Sequence, residues 1–369
     1  MKVVIDATPL LVRSAGVKTY LYHWVTALRR HSAELEVSLF PLLDRLGPLR
    51  HDRSVLSPLQ TGVRLALLGL ARLAGNPVTG WIAGRADVFH ASNLIRHVPR
   101  RSCLTATLHD ATTRRMPDLH TTANIAADRS FVQRVVKAAR RLIAISRHTA
   151  EDAVRLLGVD PERVEVIYPG VAEAFFDNPE RRVAEVRLRY GLRRPYVLYV
   201  GAIEPRKNLD RLLDAWAGLP RSLREEFDLV AAGPPGWSCA STLARLHNSP
   251  GVRYLGYLAE PDLPGLTAGA TLFVYPSLYE GFGLPVAQAM ACGVPVVASG
   301  VSSLPEVVGE SGILVDPFSI SEIGAAIERL LLSPSLRAEL AARARRRAGC
   351  FRWERAAADS VGFFQRALA

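Results

Sequence analysis

Cysteine is scarce and scattered in this chain. Cys103, Cys239, Cys292 and Cys350 form no C-x-x-C pair and stand at no metal-ligand spacing from a histidine, which argues against a zinc site or a disulfide framework and fits a reduced cytosol. Long apolar runs are lacking too. The most apolar stretch, residues 63–74, is shorter than the roughly 20 residues of a membrane span, and Arg64 and Arg72 interrupt it. The opening Met1-Lys2-Val3-Val4-Ile5-Asp6 meets a carboxylate too soon for a signal peptide and reads as a first buried strand. Low-complexity tracts and solenoid-period repeats are absent, so folded structure is expected nearly throughout. No Asp-x-Asp pair stands ready to hold a metal, and neither metal nor cofactor is expected. Lysine occurs only at Lys2, Lys18, Lys137 and Lys207, so arginine carries nearly all the positive charge.

That charge is large. A formal net charge of +11 suits a polyanion, an anionic membrane surface or a phosphorylated substrate. No motif of stacking aromatics with basic residues accompanies it, which disfavours nucleic acid. With 369 residues, 49% of them hydrophobic, the chain has room for two α/β domains with separate cores.

Short β-branched runs alternate with amphipathic stretches from end to end, the pattern of parallel sheets with crossover helices. The fold class is therefore α/β, with two doubly wound, Rossmann-like units facing across a cleft. Strands are expected near residues 2–6, 35–40, 86–90, 103–108, 141–145 and 163–167, then near 196–200, 227–232, 252–255, 271–275, 295–298 and 312–315. First-half helices are expected near 17–30, 59–74, 125–139 and 147–157. Loss of strand pattern, the helix stop Tyr190-Gly191 and Pro195 put a linker near 175–194. The domains are then 1–180, 190–350, and a terminal amphipathic helix within 351–369.

Ligands of open parallel sheets bind beyond the carboxyl ends of the strands, and three second-half loops there are unusual. In Gly201-Ala202-Ile203-Glu204-Pro205-Arg206-Lys207-Asn208, two adjacent cations precede a helix and could clamp a diphosphate together with that helix's amides. Gly233, in Ala232-Gly233-Pro234-Pro235-Gly236, brings backbone near a ligand or simply makes a turn. In the block from Tyr275 to Gly293, Glu280 precedes Gly281 and Gly283, which permit close backbone approach, and the amides of Phe282, Gly283 and Leu284 would face an anion at a helix start; Gln288 lies one turn in. In the first half, Gly16 lies in Ser14-Ala15-Gly16-Val17-Lys18 between the first strand and the first helix, where backbone can meet phosphate or acceptor, and His90 and His109-Asp110 follow strands. Each histidine is read either as a satisfied structural residue or as part of the cleft.

Taken together, Val200 to Leu209, Tyr275 to Gly293, Ser303-Leu304-Pro305-Glu306-Val307 and Thr107-Leu108-His109-Asp110 resemble the family 4 (group 1) glycosyltransferases of the GT-B fold, over almost the whole chain. The resemblance implies a retaining enzyme taking a nucleotide-diphosphate sugar as co-substrate and a glycan or lipid-linked acceptor, in polysaccharide biosynthesis. Lys207 and Arg206 would hold the donor diphosphate, Glu280 would read a sugar hydroxyl, helped by backbone from Phe282 to Leu284, and His109 would contact the sugar from the acceptor-binding first domain. The terminal helix would return to that domain. The loop Glu204 to Asn208 leans the donor toward mannose or rhamnose. Two positions depart from the family: Gln288 stands where a second glutamate usually binds the ribose, and Lys18-Thr19 replace the common Gly and Arg.

Transfer from a sugar diphosphate develops negative charge on the departing phosphate, which Arg206, Lys207 and a helix dipole could solvate without a metal. Glu280 would then orient the sugar while a phosphate oxygen takes the acceptor's proton. A sugar-nucleotide 2-epimerase and a catalytically weakened sugar-nucleotide-binding protein share the same architecture and stay open at this point. The helix around residues 58–75 carries a stripe of Leu59, Val63, Ala66, Leu67 and Leu70, with Leu65 and Leu68 outside it. Burial is the expected reading of such two-sided apolarity; contact with an anionic membrane at the inner face is the alternative.

Overall fold

The computed structural model describes residues 1–14, 16–31, 35–43, 45–74, 80, 84–95, 98–99 and 101–369. The chain divides into two compact units, Met1–Gly170 with Trp353–Ala369, and Val171–Arg352.

The first unit holds a six-stranded sheet of β1 (Lys2–Asp6), β2 (Glu36–Phe40), β3 (Val88–Ala91), β4 (Cys103–Leu108), β5 (Arg141–Ala144) and β6 (Val164–Val166), ordered β2-β1-β3-β4-β5-β6 with every pairing parallel. The second holds β7 (Tyr196–Val200), β8 (Asp228–Ala232), β9 (Val252–Tyr254), β10 (Leu272–Tyr275), β11 (Val296–Ser299) and β12 (Ile313–Val315), ordered β12-β11-β10-β7-β8-β9 and again parallel throughout. All twelve lie within a residue or two of where the β-branched runs put them. Burial on both faces explains the legibility: Val3, Val88, Leu142, Val197, Leu198, Phe273, Val274 and Val297 are wholly buried, as parallel strands covered by helices must be. In each sheet the strand order reverses once, between β1 and β3 and between β7 and β10. Those reversals open a crevice at the strands' carboxyl ends.

Local signals set the helix ends. The helix Arg147–Leu157 begins where the Ser146 hydroxyl accepts the Thr149 amide at 3.0 Å, and it stops at Gly158, whose φ of 66° is left-handed. The helix Thr122–Phe131 starts earlier than the expected 125 because Thr121 caps it, and it widens into a π turn over Val132–Val136. The terminal helix Trp353–Leu368 packs in the first unit against Gly16–His31. Trp24 Nε1 donates to Ser360 Oγ at 2.9 Å, Arg366 pairs with Glu165, and Phe363 and Phe364 are fully buried. Each of those two rings contributes about 1.5–3 kcal/mol of burial, so the unit's core is completed by the end of the chain.

Two features depart from the sequence reading. Residues 171–189, assigned to the end of the first domain and a linker, pack in the second unit. Phe175 and Phe176 are buried there, and Val186 of the helix Glu180–Arg189 lies so near Gly265 that a side chain at that glycine would meet it at 2.8 Å. The helix Pro58–Ala74 also differs from expectation. Leu59, Val63, Ala66 and Leu70 are exposed, Leu59 at 80% and Leu70 at 59%, while Leu68 is buried. Arg64 explains the orientation: its Nε and Nη2 donate to the Leu42 carbonyl at 3.1 and 2.8 Å, pinning this side of the helix to the turn after β2. The stripe is left facing outward.

Candidate active site

The loops after β7 and β10 meet at the second unit's reversal. Gly201 is required where β7 ends, because a Cβ there would lie 2.7 Å from the Tyr199 hydroxyl. The chain continues through Glu204, makes a single turn over Pro205–Lys207, passes Asn208 at a left-handed φ of 62°, and enters the helix Leu209–Ala217. Asn208 Nδ2 donates to the carbonyls of Pro276 at 2.9 Å and Pro317 at 2.7 Å, and the Leu278 amide donates to the Arg206 carbonyl at 2.9 Å. These bonds fasten one loop to the other.

They bring Arg206 and Lys207 onto Glu280. Lys207 Nζ lies 2.6 Å from Glu280 Oε1 and donates to the Tyr275 hydroxyl at 2.8 Å, with the Tyr275 ring centroid 5.2 Å away. Arg206 Nη1 lies 3.1 Å from Glu280 Oε2 and 2.6 Å from the Tyr279 carbonyl, while its Nη2 lies 2.7 Å from Glu204 Oε1. Glu204, Lys207 and Glu280 are each less than a tenth exposed. Burial alone would raise the Glu280 carboxyl, but Arg206 and Lys207 outweigh it and hold the group at about 2. Lys207 is lowered by burial and by the adjacent Arg206, opposed by Glu280. Two cations therefore share one firmly ionised carboxylate.

The Glu280 backbone is held separately. Its amide donates to Ser302 Oγ at 2.9 Å, and its carbonyl accepts from Ser303 Oγ at 2.9 Å; Ser302 itself sits at a left-handed φ of 57°. Ser302, Ser303, Asn208 and Glu204 were not singled out as site residues from the sequence. The one available signal was the Glu-x-Arg spacing of Glu204 and Arg206, while the serine contacts depend on a long-range approach.

The remaining expected residues divide by environment. Gly283 has a φ of 94°, and a side chain there would collide with Leu304; the helix Leu284–Ala291 follows with Pro285 in its first turn, leaving the Leu284 amide without an intrahelical acceptor. Gly281 and Phe282 are buried just ahead of it, the Phe282 ring edge-on to Phe351 at 5.2 Å. Gln288 is half-buried, and its side-chain amide makes no hydrogen bond among the described residues. Gly233 has a packing reason: at a φ of 146°, a Cβ there would run into the Gly201 carbonyl, and Ile203 bonds the turn on both sides, to Pro234 and Gly236. The helix beginning at Leu209 opens with Asp210, which binds Arg245 and Thr242. That carboxylate opposes an anion at this helix start, so the loop's electropositive contribution is Arg206 and Lys207.

In the first unit, His109 is half-buried beyond β4, with its ring edge-on to Tyr20 at 4.9 Å. Burial, opposed by Asp110, lowers it to about 4, so it is neutral at pH 7. His90 is a satisfied core residue: its ring nitrogens lie 2.9 Å from Thr105 Oγ1 and Thr107 Oγ1, and Trp24 and Phe364 flank it. Gly16 is exposed at the start of its helix. Lys18, one of the two departures, is wholly buried and donates to the carbonyls of Val12 at 2.7 Å and Arg53 at 2.6 Å, while Thr19 Oγ1 lies 2.8 Å from His51 Nε2. Lys18 ties the loop before the first helix to the loop after β2, and Thr19 ties the helix itself to that second loop.

A pair of doubly wound parallel sheets, one carrying a buried Arg–Lys–Glu constellation at its reversal, defines a GT-B glycosyltransferase. The chain belongs to the family 4, group 1 glycosyltransferases and is a hexosyltransferase: residues 14–175 match the model described as Glycosyltransferase Family 4, and residues 185–347 the model described as Glycosyl transferases group 1. It is 32% identical over 283 residues to the O-antigen chain mannosyltransferase B of Escherichia coli, covering 75% of this chain and 74% of that protein. It is also 32% identical over 234 residues to the serotype-specific mannosyltransferase WbdA of Escherichia coli, covering 62% of this chain but only 29% of that one. Among solved structures, Anabaena HepE in complex with UDP-glucose superposes with a TM-score of 0.71 at 20% identity, over 98% of this chain and 99% of that one.

Proposed function

We propose that this chain is a retaining, metal-independent glycosyltransferase that moves a mannose- or rhamnose-like hexosyl group from a nucleotide-diphosphate sugar to a glycan or lipid-linked acceptor in the cytoplasm. The second unit binds the donor and the first binds the acceptor. The observation that carries this reading is the contact of Arg206 and Lys207 with Glu280 at the strand-order reversal. Fixed cations in a buried site stabilise a departing diphosphate without a metal. Glu280 accepts a sugar hydroxyl; with its carboxyl held at about 2 it is too weak a base to take the acceptor's proton, which passes to an oxygen of the leaving phosphate. Leu284 and its neighbours face the donor, and Gln288 accepts from the ribose.

Charge and exposure support a lipid-linked acceptor. The first unit carries 26 lysines and arginines against 16 acidic residues, the second 20 against 19. The first also displays the apolar stripe of residues 58–70. Such a surface suits an anionic bilayer, and anionic vesicles should retain the protein at low salt but not at high salt.

A thermal-shift screen across nucleotide sugars tests the donor assignment, because a ligand binding only the folded state adds about 2.7 kcal/mol at a hundred times its Kd. One nucleotide sugar and its diphosphate should raise Tm, with chelator making no difference. Indifference to every nucleotide sugar and diphosphate refutes the reading. Nucleotide release that needs an acceptor separates transfer from epimerisation.

A further inference from the structure

We infer that Glu204 is a built-in counter-charge that limits how tightly Arg206 and Lys207 grip a diphosphate, and so favours release of the nucleotide product. This deepens the donor reading and rests on it.

Glu204 lies four residues beyond β7, extended at φ −146° and ψ 155°, and is 7% exposed. With Arg206, Lys207 and Glu280 it makes a buried group of two cations and two carboxylates joined by contacts of 2.6 to 3.1 Å. The group is neutral before any anion enters. With Glu280 alone opposing the cations, one positive charge would remain for the donor.

The Glu204 carboxylate is not needed to build the loop. Its backbone neighbours are tied independently, Ile203 N–H to Pro234 O, Gly236 N–H to Ile203 O and Leu278 N–H to Arg206 O, each at 2.9 Å. Arg206 is already oriented by the Tyr279 carbonyl and Glu280 through Nη1. What the second carboxylate adds is charge, placed where screening is poor. The nucleoside diphosphate leaves transfer carrying the acceptor's proton, and once that proton is lost to water it bears one more negative charge than the sugar ester did, so a fixed anion beside Arg206 weakens the product's hold more than the donor's.

Calorimetric titration of the full chain with inorganic pyrophosphate, UDP and GDP, with uridine and guanosine as uncharged controls, tests this. Glu204→Gln keeps the size and an acceptor for Arg206 while removing the charge. It should bind the diphosphates about tenfold more tightly and release them more slowly, with the nucleosides unaffected; Glu204→Asp should stay within about twofold of wild type. Should Glu204→Gln not fold, Glu204→Gln/Arg206→Gln is neutral again and is compared with Arg206→Gln, over which it should still gain affinity for pyrophosphate. Affinity for diphosphates unchanged or weakened in a folded variant, or no gain in the double variant, overturns the counter-charge. Wild-type protein that binds neither diphosphate nor pyrophosphate overturns the donor reading instead.

Discussion

Replacing Glu280 by glutamine puts the whole site under load. The wild-type carboxylate is buried and answers two cations at 2.6 and 3.1 Å. Breaking a buried pair by removing one partner costs about 3–5 kcal/mol. Arg206 keeps Glu204 and the Tyr279 carbonyl, so the loss should fall near the lower end, about 3 kcal/mol. For a folding unit of this size that lowers Tm by about 6–12 °C. The pH dependence carries its own sign. The folded-state carboxyl sits at about 2, below its ordinary 4.5, so its stabilisation is complete above pH 4.5 and is lost as pH falls toward 2. The stability gap between wild type and variant, read from urea midpoints, should be flat from pH 8 to 5 and narrow below that. Turnover should fall about 10²–10³-fold, while affinity for the nucleoside diphosphate holds or rises because the site gains positive charge. A variant that loses diphosphate affinity but keeps turnover, or melts as wild type does, refutes the reasoning.

Gln288→Glu should tighten donor binding several-fold in a calorimetric titration, since a charge-assisted bond to a ribose hydroxyl is about twice as strong as a neutral one; unchanged affinity removes Gln288 from the ribose. The first unit should be acid-labile. Burial lowers His23, His51 and His109 to about 4 and His90 to about 3, so unfolding below pH 6.5 takes up protons that the fold excludes, at up to about 1.4 kcal/mol per pH unit for each histidine. Melting temperature should therefore drop steeply from pH 7 to 5; a flat profile contradicts the neutral state of these rings.

Much of the fold was legible because parallel strands buried on both faces need continuous apolar runs, and because caps such as Ser146 and Gly158 act within a few residues. The site was legible in part for a similar reason. Arg206, Lys207, Glu280 and Gly283 lie in loops directly after strands, and strand ends at a sheet's reversal are where charge can gather.

What the sequence by itself determined is therefore local: two doubly wound sheets, where their strands fall, and which loops hold the charged residues. Tertiary structure alone decided what spacing along a chain cannot encode. It joined Arg206 to Glu280, set Ser302 and Ser303 on the backbone of Glu280 more than twenty residues away, brought Gly233 against the Gly201 carbonyl, and turned Leu59 and Leu70 outward through Arg64. Periodicity reveals that a face is apolar, but which neighbour covers it, and which cation a carboxylate answers, depends on contacts made only once distant segments have met.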